Sequence, residues 1–350
     1  MTQATAPALA APASTVGRGR LGRRRLTVLI CALIALIAVA TLSVAVGTRS
    51  IGLGTVWQVL WHDDGSVAAD IVHRIRIPRT LLGIGVGSAL GLAGALMQAL
   101  TRNPLAEPGL LGVNLGASTA VVAAIAFFGV TSLSGYVWFA FAGAAVTATV
   151  VFALGGAGRA STPERQVLAG ISVTAVLGAF VWAVLVTKPE AFNRYRYWDV
   201  GSLADRDAGA LTRVAPFLVV GIVLALSLGR RLNALGLGDE AAAALGAHPH
   251  RIRALGVLAI TLLCGAATAA TGPIWFLGLA VPYVARLLTG PDHRWVLAYS
   301  VVLGPSVLLL ADVVGRVVVA PSELQVGVVT AFVGAPIFLA LCRRRRLGQL

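Results

Sequence analysis

Ten apolar segments constrain the fold of this chain more than any other feature of its sequence. A helix needs roughly 20 apolar residues to cross the hydrocarbon core of a bilayer, and it satisfies its backbone polar groups within one segment. The sequence therefore predicts an all-α, polytopic membrane protein with about ten transmembrane helices. The segments lie at about residues 26–47, 79–101, 109–129, 135–156, 166–187, 210–229, 252–271, 274–288, 295–314 and 327–342.

The segment at 274–288 is the least regular of the ten. It is short, contains Pro282, and follows Gly272 and Pro273. Irregular backbone at membrane depth is tolerated where it is buried in protein. Two interpretations stay open, a broken span and a span packed tightly inside the protein.

Composition agrees with a membrane protein and argues against a nucleic-acid-binding one. Hydrophobic residues make up 57% of the chain and charged residues 12%, against about 25% charged in soluble domains. Membrane lipid must therefore cover much of the surface. The net charge of +14 would suggest nucleic acid on a soluble protein, but the arginines lie in short loops, where they orient spans. No nucleic-acid partner is expected.

Charge placement predicts the topology. Most of the 28 Lys and Arg residues fall in the segments that share a side with the N-terminus, which the positive-inside rule assigns to the cytoplasm. Both termini are therefore expected in the cytoplasm. Residues 1–25 are predicted to be a disordered basic tail, 26–342 the transmembrane domain, and 343–350 a basic C-terminal tail. The run at 26–47 is too long for a signal-peptide core and reads as an uncleaved first span.

The sequence has no motif for ATP hydrolysis, and it predicts neither an enzyme nor a cofactor. A P-loop needs a Gly-rich turn that ends in lysine, and the single lysine, Lys188, follows Thr187. The close histidines, His248 and His250, have no further ligand nearby in sequence, so a solvated loop is expected rather than a metal site.

Ionisable residues within the spans are few, which bears on how a transporter would be driven. Arg79, Arg213 and Asp312 lie near span ends. Ion-coupled carriers keep ionisable groups at membrane depth. The pattern therefore favours a passive pathway driven by another protein over a secondary carrier.

Three loop regions carry further signals. In 230–253, Asp239 and Glu240 begin a short alanine-rich stretch that Gly246 ends, which predicts a capped helix and a docking element for a cytoplasmic partner. The outer segments 48–77 and 188–207 combine aromatic residues with charges. Either an interfacial aromatic belt or docking of a soluble partner would explain them.

The stretch 76–116 joins two apolar segments through a polar hairpin. Two prolines and an acid in this hairpin are unusual for a simple turn in so apolar a chain. The hairpin contains Arg102, Asn103, Pro104, Glu107 and Pro108.

Four collinear blocks resemble one known family. They are RIPRTLLGIGVGSALGLAGALMQALTRNPLAEPGLLGVNLGAS at 76–118, GLGDEAAAALG at 236–246, GPIWFLGLAVPYVARLLTGPDHR at 272–294 and APSELQVGVVTAFVGAP at 320–336. The chain resembles the iron–siderophore and vitamin B12 permeases of bacterial ABC importers. Tyr283 and Gln325 depart from residues common in that family, where His and Pro are frequent, and these departures bear on the substrate.

The resemblance implies a type II ABC importer permease fold that works as a dimer with an identical or paralogous permease. It also implies a cytoplasmic ABC ATPase dimer, an extracytoplasmic substrate-binding lipoprotein, and a ferric siderophore as the substrate. A cobalamin or haem importer of the same fold is the alternative. The fifth and tenth spans would line the pathway.

The resemblance also implies roles for individual residues. ATPase coupling falls to Gly238, Asp239, Glu240, Ala241, Leu245 and Gly246. Docking of the binding protein falls to Arg76, Arg79 and Arg316. The inner gate falls to Asn103 and Leu105 in the hairpin, and to Ser161 and Thr162 before the fifth span.

Overall fold

The computed structural model describes residues 16–47, 51–62, 64–130, 132–156, 163–204 and 209–343. Within these ranges the regular structure is helical. The α-helices are α1 (Val16–Ala45), α2 (Leu53–Trp61), α3 (Val67–Asp70), α4 (Ile77–Thr101), α5 (Val113–Phe128), α6 (Leu133–Gly156), α7 (Pro163–Thr187), α8 (Pro189–Asp199), α9 (Gly209–Ser227), α10 (Gly229–Gly236), α11 (Asp239–Ala244), α12 (Pro249–Thr271), α13 (Leu277–Thr289), α14 (His293–Val318) and α15 (Val326–Arg343).

Each of the ten predicted spans corresponds to one helix. In the described residues, seven helices are long and apolar enough to cross a membrane: α1, α6, α7, α9, α12, α14 and the run Val67–Thr101, which contains α4. The remaining three predicted spans are the shorter apolar helices α5, α13 and α15. The all-α prediction is confirmed.

Helix α13 has 13 residues. Both interpretations of the irregular segment, a broken span and a span packed inside the protein, apply to it. Residues 272–276 before it are not helical, so the span is broken. Its residues Leu277, Pro282 and Ala285 are also buried, so protein, not lipid, surrounds much of it.

Two boundaries differ from the prediction. Helix α1 begins at Val16, so residues 16–25 are helical and not a disordered tail; residues 1–15 lie outside the described part. The run Val67–Thr101 is one continuous helix that begins well before the predicted span at 79–101. A π-helical turn, Ile71–Arg76, lies within it, next to Pro78, whose missing N–H cannot close the usual bond to the preceding turn.

Helix α4 forms the centre of the bundle and packs against α14, α12, α13 and α9. Glycines make this possible, because small residues let helix backbones approach closely. A Cβ atom on Gly87 would lie 2.5 Å from the Cα of Pro305, and one on Gly91 would lie 2.7 Å from the carbonyl oxygen of Ser300. The pair has the small-xxx-small spacing of membrane helix contacts.

The bundle has two polar ends. One, here the α11 end, contains α10, α11 and the hairpin at 102–108, and an Arg25–Asp292 ion pair. The other, here the α8 end, contains α2, α8 and the starts of α4 and α15. Arg79 meets Glu323 there. Successive spans run between these ends.

Candidate functional site

The α11 end presents the short helix that the sequence predicted. Helix α11 begins at Asp239 and ends at Ala244. Gly238 and Gly246 flank it with positive φ angles of 107° and 78°, a conformation that glycine adopts readily. Asp239 and Glu240 occupy its first turn, where carboxylates complement the helix dipole.

One face of this region is exposed. Leu237 and Leu245 are 67% and 68% exposed, and Glu240, Ala241 and Gly246 are exposed beside them. Exposed leucines rimmed by polar groups are typical of protein-docking surfaces. We call these five residues the α11 face.

Asp239 does not belong to this exposed face. Its Oδ1 accepts a bond from Arg102 Nη2 at 2.6 Å, and Arg253 holds the same carboxylate through Nη1–Oδ2 at 2.9 Å and Nη2–Oδ1 at 3.0 Å. Partial burial raises the pKa of Asp239, but the two guanidinium groups outweigh it and leave the pKa below its ordinary value.

The hairpin that follows α4 begins at Arg102, which adopts a left-handed conformation with φ 50°. Asn103 Oδ1 accepts a bond from the Leu105 N–H at 2.9 Å and closes the next turn. The Leu105 side chain packs against Leu279 and Tyr283 of α13, beside Ile337 and Phe338 of α15. Of the two predicted hairpin gate residues, Leu105 therefore packs against α13, and Asn103 is exposed beside it. The other predicted gate residues, Ser161 and Thr162, lie outside the described residues.

At the α8 end, Arg79 binds two carboxylates. Its Nη2 lies 2.7 Å from Asp312 Oδ1 and its Nη1 lies 2.8 Å from Glu323 Oε2. Arg316 Nη2 lies 3.0 Å from the other Asp312 oxygen, and Arg316 Nη1 donates to the carbonyl oxygens of Ser43 and Val46. This cluster joins α4 and α14 to the end of α1 and to the loop before α15.

Arg76 is held in the same way, since its Nη1 donates to the carbonyl oxygens of Val44 and Ala45. The resemblance assigns Arg76, Arg79 and Arg316 to docking of the binding protein. The structure instead buries all three, because carboxylates and carbonyl groups of the chain itself satisfy their guanidinium groups. Their docking role stays a prediction, and it requires a partner to reach side chains that are now inside the protein.

The comparisons with known proteins decide the family. The model of the FecCD transport family matches residues 34–344. The chain belongs to the FecCD transport family.

Its similarity to other members extends along nearly the whole chain. The ferric enterobactin transport system permease protein FepD of Escherichia coli (strain K12) is 46% identical over 318 residues, which cover 90% of this chain and 95% of FepD. The Fe(3+)-citrate import system permease protein YfmD of Bacillus subtilis (strain 168) is 40% identical over 322 residues, which cover 92% of this chain and 96% of YfmD.

A solved structure described as an inward-facing conformation of a metal-chelate type ABC transporter has the same fold. Its TM-score is 0.80 at 27% identity, and the match covers 91% of this chain and 99% of that one. This FecCD chain is thus a multi-pass inner-membrane permease of the ABC importer class, in which the ATPase is a separate subunit. The predicted family and permease fold are confirmed.

The sequence did not predict the hydrogen bond that attaches Glu107, near the C-terminal end of the hairpin in this FecCD chain, to the start of α13. Glu107 Oε1 accepts the backbone N–H of Phe276 at 2.7 Å, and Phe276 has a φ of +67° at the start of α13. An acid between two prolines was a visible signal, but its partner is 169 residues away in sequence. Two non-glycine residues among those described have positive φ, Arg102 and Phe276. Arg102 begins this hairpin, and the Phe276 N–H donates to Glu107 near its other end.

Helix α8 presents a second candidate surface of the FecCD chain. Tyr195 and Trp198 are buried, and Tyr195 Oη donates to Asp199 at 2.6 Å. A cavity of about 550 Å³ lies between α8 and the end of α5, with Lys188 and Arg194 in its lining.

Proposed function

We propose that this chain transports a ferric siderophore across the cytoplasmic membrane as the permease subunit of an ABC importer. The observation that carries the proposal is the 46% identity with a ferric enterobactin permease over nearly the whole of both chains. YfmD, whose name gives ferric citrate, adds support for an iron chelate. Cobalamin and haem are the alternative substrates, and an ion-coupled carrier is the alternative class.

The α11 end faces the cytoplasm in this proposal, and so do both termini. The predicted inner segments contain most of the Lys and Arg residues, in agreement with the positive-inside rule. Arg25, Arg102 and Arg253 are among them. The α8 end then faces the extracytoplasmic binding protein.

A cytoplasmic ABC ATPase dimer docks on the α11 face. Leu237 and Leu245 supply apolar contact area, and Glu240 supplies a rim charge. ATP binding and hydrolysis on the ATPase subunits move this region, and the spans then rock around a pathway. Because no step of this cycle needs bond chemistry on the permease, the chain acts without catalytic residues of its own.

The pathway lies between this chain and a second permease, identical or paralogous. Helices α7 and α15 expose large apolar side chains such as Val176 and Phe332, which need lipid or a partner chain to cover them. These are the fifth and tenth spans that the resemblance assigns to the pathway. A cavity shared by two subunits suits a large chelate better than a slot within one.

Docking of the binding lipoprotein is proposed at the α8 end. Lys188, Arg194 and Arg196 are exposed there, and they attract acidic groups of a soluble partner without any rearrangement. Arg76, Arg79 and Arg316 would take part only after their cluster opens. Replacement of Lys188 and Arg196 by Glu is expected to weaken docking more at low salt than at high salt.

Reconstitution tests the proposal. The permease, its ATPase subunits and its binding protein are placed in proteoliposomes. The substrate is iron-labelled ferric enterobactin, ferric citrate or hemin, or cobalt-labelled cobalamin. ATP-dependent uptake of a ferric siderophore is expected. ATP-dependent uptake of hemin or cobalamin alone would overturn the substrate, and uptake driven by an ion gradient without ATPase subunits would overturn the class.

A further inference from the structure

The polar contacts of Arg102 connect two parts of the molecule that have separate proposed roles. Its backbone begins the hairpin that carries Asn103 and Leu105. Its Nη2 reaches Asp239 at 2.6 Å and the carbonyl oxygen of Leu235, the last turn of α10, at 2.8 Å. One side chain therefore bonds both sides of the short link that precedes α11.

The hairpin transmits displacement because both of its ends are fixed. At Arg102 the backbone N–H bonds to the Gln98 carbonyl oxygen, and the N–H of Asn103 bonds to the same oxygen. At the other end Glu107 holds the N–H of Phe276. The Leu105 side chain between them packs against Leu279 and Tyr283 of α13, the same two residues that Ile337 and Phe338 of α15 pack against, so a shift of Arg102 would reach α13 directly.

Backbone strain marks the same connection. Arginine and phenylalanine rarely adopt positive φ, and such strain persists where surrounding contacts impose it. Arg102 and Phe276 both do so, and each is tied down by hydrogen bonds across the hairpin's two attachments.

We propose that Arg102 is the positioning residue through which movement of α11 reaches the inner hairpin. This inference rests on the proposed function, because it assumes that an ATPase moves α11. The Arg102–Asp239 pair suits this role. A guanidinium–carboxylate bond is strong, and at a partly exposed site it costs little to break and re-form in a new geometry.

Arg253 supplies a matched control. It holds the same carboxylate through two bonds, but it belongs to α12, and within the described residues these bonds go to Asp239 and not to the hairpin. Loss of Arg253 weakens the anchor of α11 and leaves the link from α11 to the hairpin in place. A structural role for the Asp239 cluster predicts the same defect for both arginines, whereas transmission predicts a defect for Arg102 alone.

The Arg102→Gly variant removes the side chain without a backbone penalty, because glycine adopts the left-handed conformation readily. In proteoliposomes with the ATPase subunits and binding protein, we expect transport per ATP hydrolysed to fall roughly tenfold, with ATPase co-purification unchanged. Arg102→Lys should recover part of the loss. Arg253→Gln should stay within about twofold of wild type. The inference would be overturned if wild type and Arg102→Gly gave the same transport per ATP hydrolysed. It would also be overturned if Arg102→Gly and Arg253→Gln lowered that quantity equally.

A second measurement needs no substrate and so separates this inference from the proposed function. Cys31, Cys264 and Cys342 are replaced by alanine and Leu105 by cysteine, and maleimide labelling is followed with and without ATP plus vanadate. We expect trapped nucleotide to change the labelling rate several-fold with Arg102 present and to have no effect in Arg102→Gly. A nucleotide response that survives Arg102→Gly, or none with Arg102 present, contradicts transmission. Failure of every chelate to be transported would overturn the proposed function alone.

Discussion

Two aspartates at opposite ends of the bundle are each held by two arginines, yet they differ in burial. Asp312 meets Arg79 and Arg316 with a side chain that is 0% exposed. Asp239 meets Arg102 and Arg253 with a side chain that is 43% exposed. The Asp312 carboxylate therefore lies in the protein interior, whereas the Asp239 carboxylate lies at a partly exposed site between an exposed Arg102 and a buried Arg253.

The difference decides what each cluster can do. In a buried cluster the loss of one partner leaves uncompensated charge, which costs about 3–5 kcal/mol. Exposed pairs contribute about 0–1 kcal/mol, because water screens them. The Asp312 cluster thus fixes α1, α4 and α14 relative to one another, while the Asp239 cluster can break and re-form during a transport cycle.

The largest effect is expected at Asp312. Asp312→Asn leaves Arg79 and Arg316 without their shared carboxylate, and the free energy of unfolding in detergent should fall by about 3–5 kcal/mol. Denaturant titration of the purified permease measures it. Asp70→Asn is the control, because Asp70 forms an exposed pair with Arg74 and should change stability by under about 1 kcal/mol. Equal losses in the two variants would refute the distinction by burial.

The next effect separates stability from function at Asp239. Asp239→Asn should lower the unfolding free energy by less than Asp312→Asn does, because the Arg102 and Asp239 side chains are 38% and 43% exposed although Arg253 is buried, while transport per ATP falls roughly tenfold. Denaturant titration and the proteoliposome assay are run on the same preparation. A stability loss as large as that of Asp312→Asn would show that the α11 cluster is structural.

A smaller effect concerns ATPase docking on the α11 face. Leu245→Asp combined with Glu240→Arg should reduce co-purification of the ATPase subunits roughly tenfold, since both side chains are exposed and only partner contacts are lost. Membrane insertion should be unchanged. Glu190→Arg, an exposed acid on α8, is the charge-matched control and should leave ATPase co-purification intact. Undiminished co-purification of the double variant would remove the docking role.

The smallest effect is the response to pH. The pKa of Asp239 lies below its ordinary value, so its contribution is complete above the unfolded pKa of about 3.9 and is lost only as pH falls through the folded pKa. Transport per ATP should therefore be the same at pH 7 and pH 5.5 in proteoliposomes. A fall in transport per ATP from pH 7 to pH 5.5 in the wild type, with no such fall in Asp239→Asn, would contradict an ionised Asp239 at both pH values.

Local signals in the sequence predicted much of this structure. Apolar length predicted a helix at each of the ten segments, of which seven are long enough in the described residues to cross a membrane. Gly238, Gly246 and the paired acids predicted the bounds of α11. The ion clusters could not be predicted, because their partners lie far apart in sequence: 137 residues for Arg102 and Asp239, and 233 for Arg79 and Asp312. For the same reason the burial of Arg79 and Arg316 could not be predicted, because tertiary packing supplies the carboxylate that permits it.

The proposed coupling of the α11 region to the inner hairpin rests on the bond between Arg102 and Asp239. A double-mutant cycle on transport per ATP tests it most directly, with wild type, Arg102→Gly, Asp239→Asn and the double variant in identical proteoliposomes. We expect transport per ATP in the double variant to be no lower than in either single variant, because both substitutions remove the same interaction. Defects that multiply in the double variant would contradict it and show that the two residues act independently.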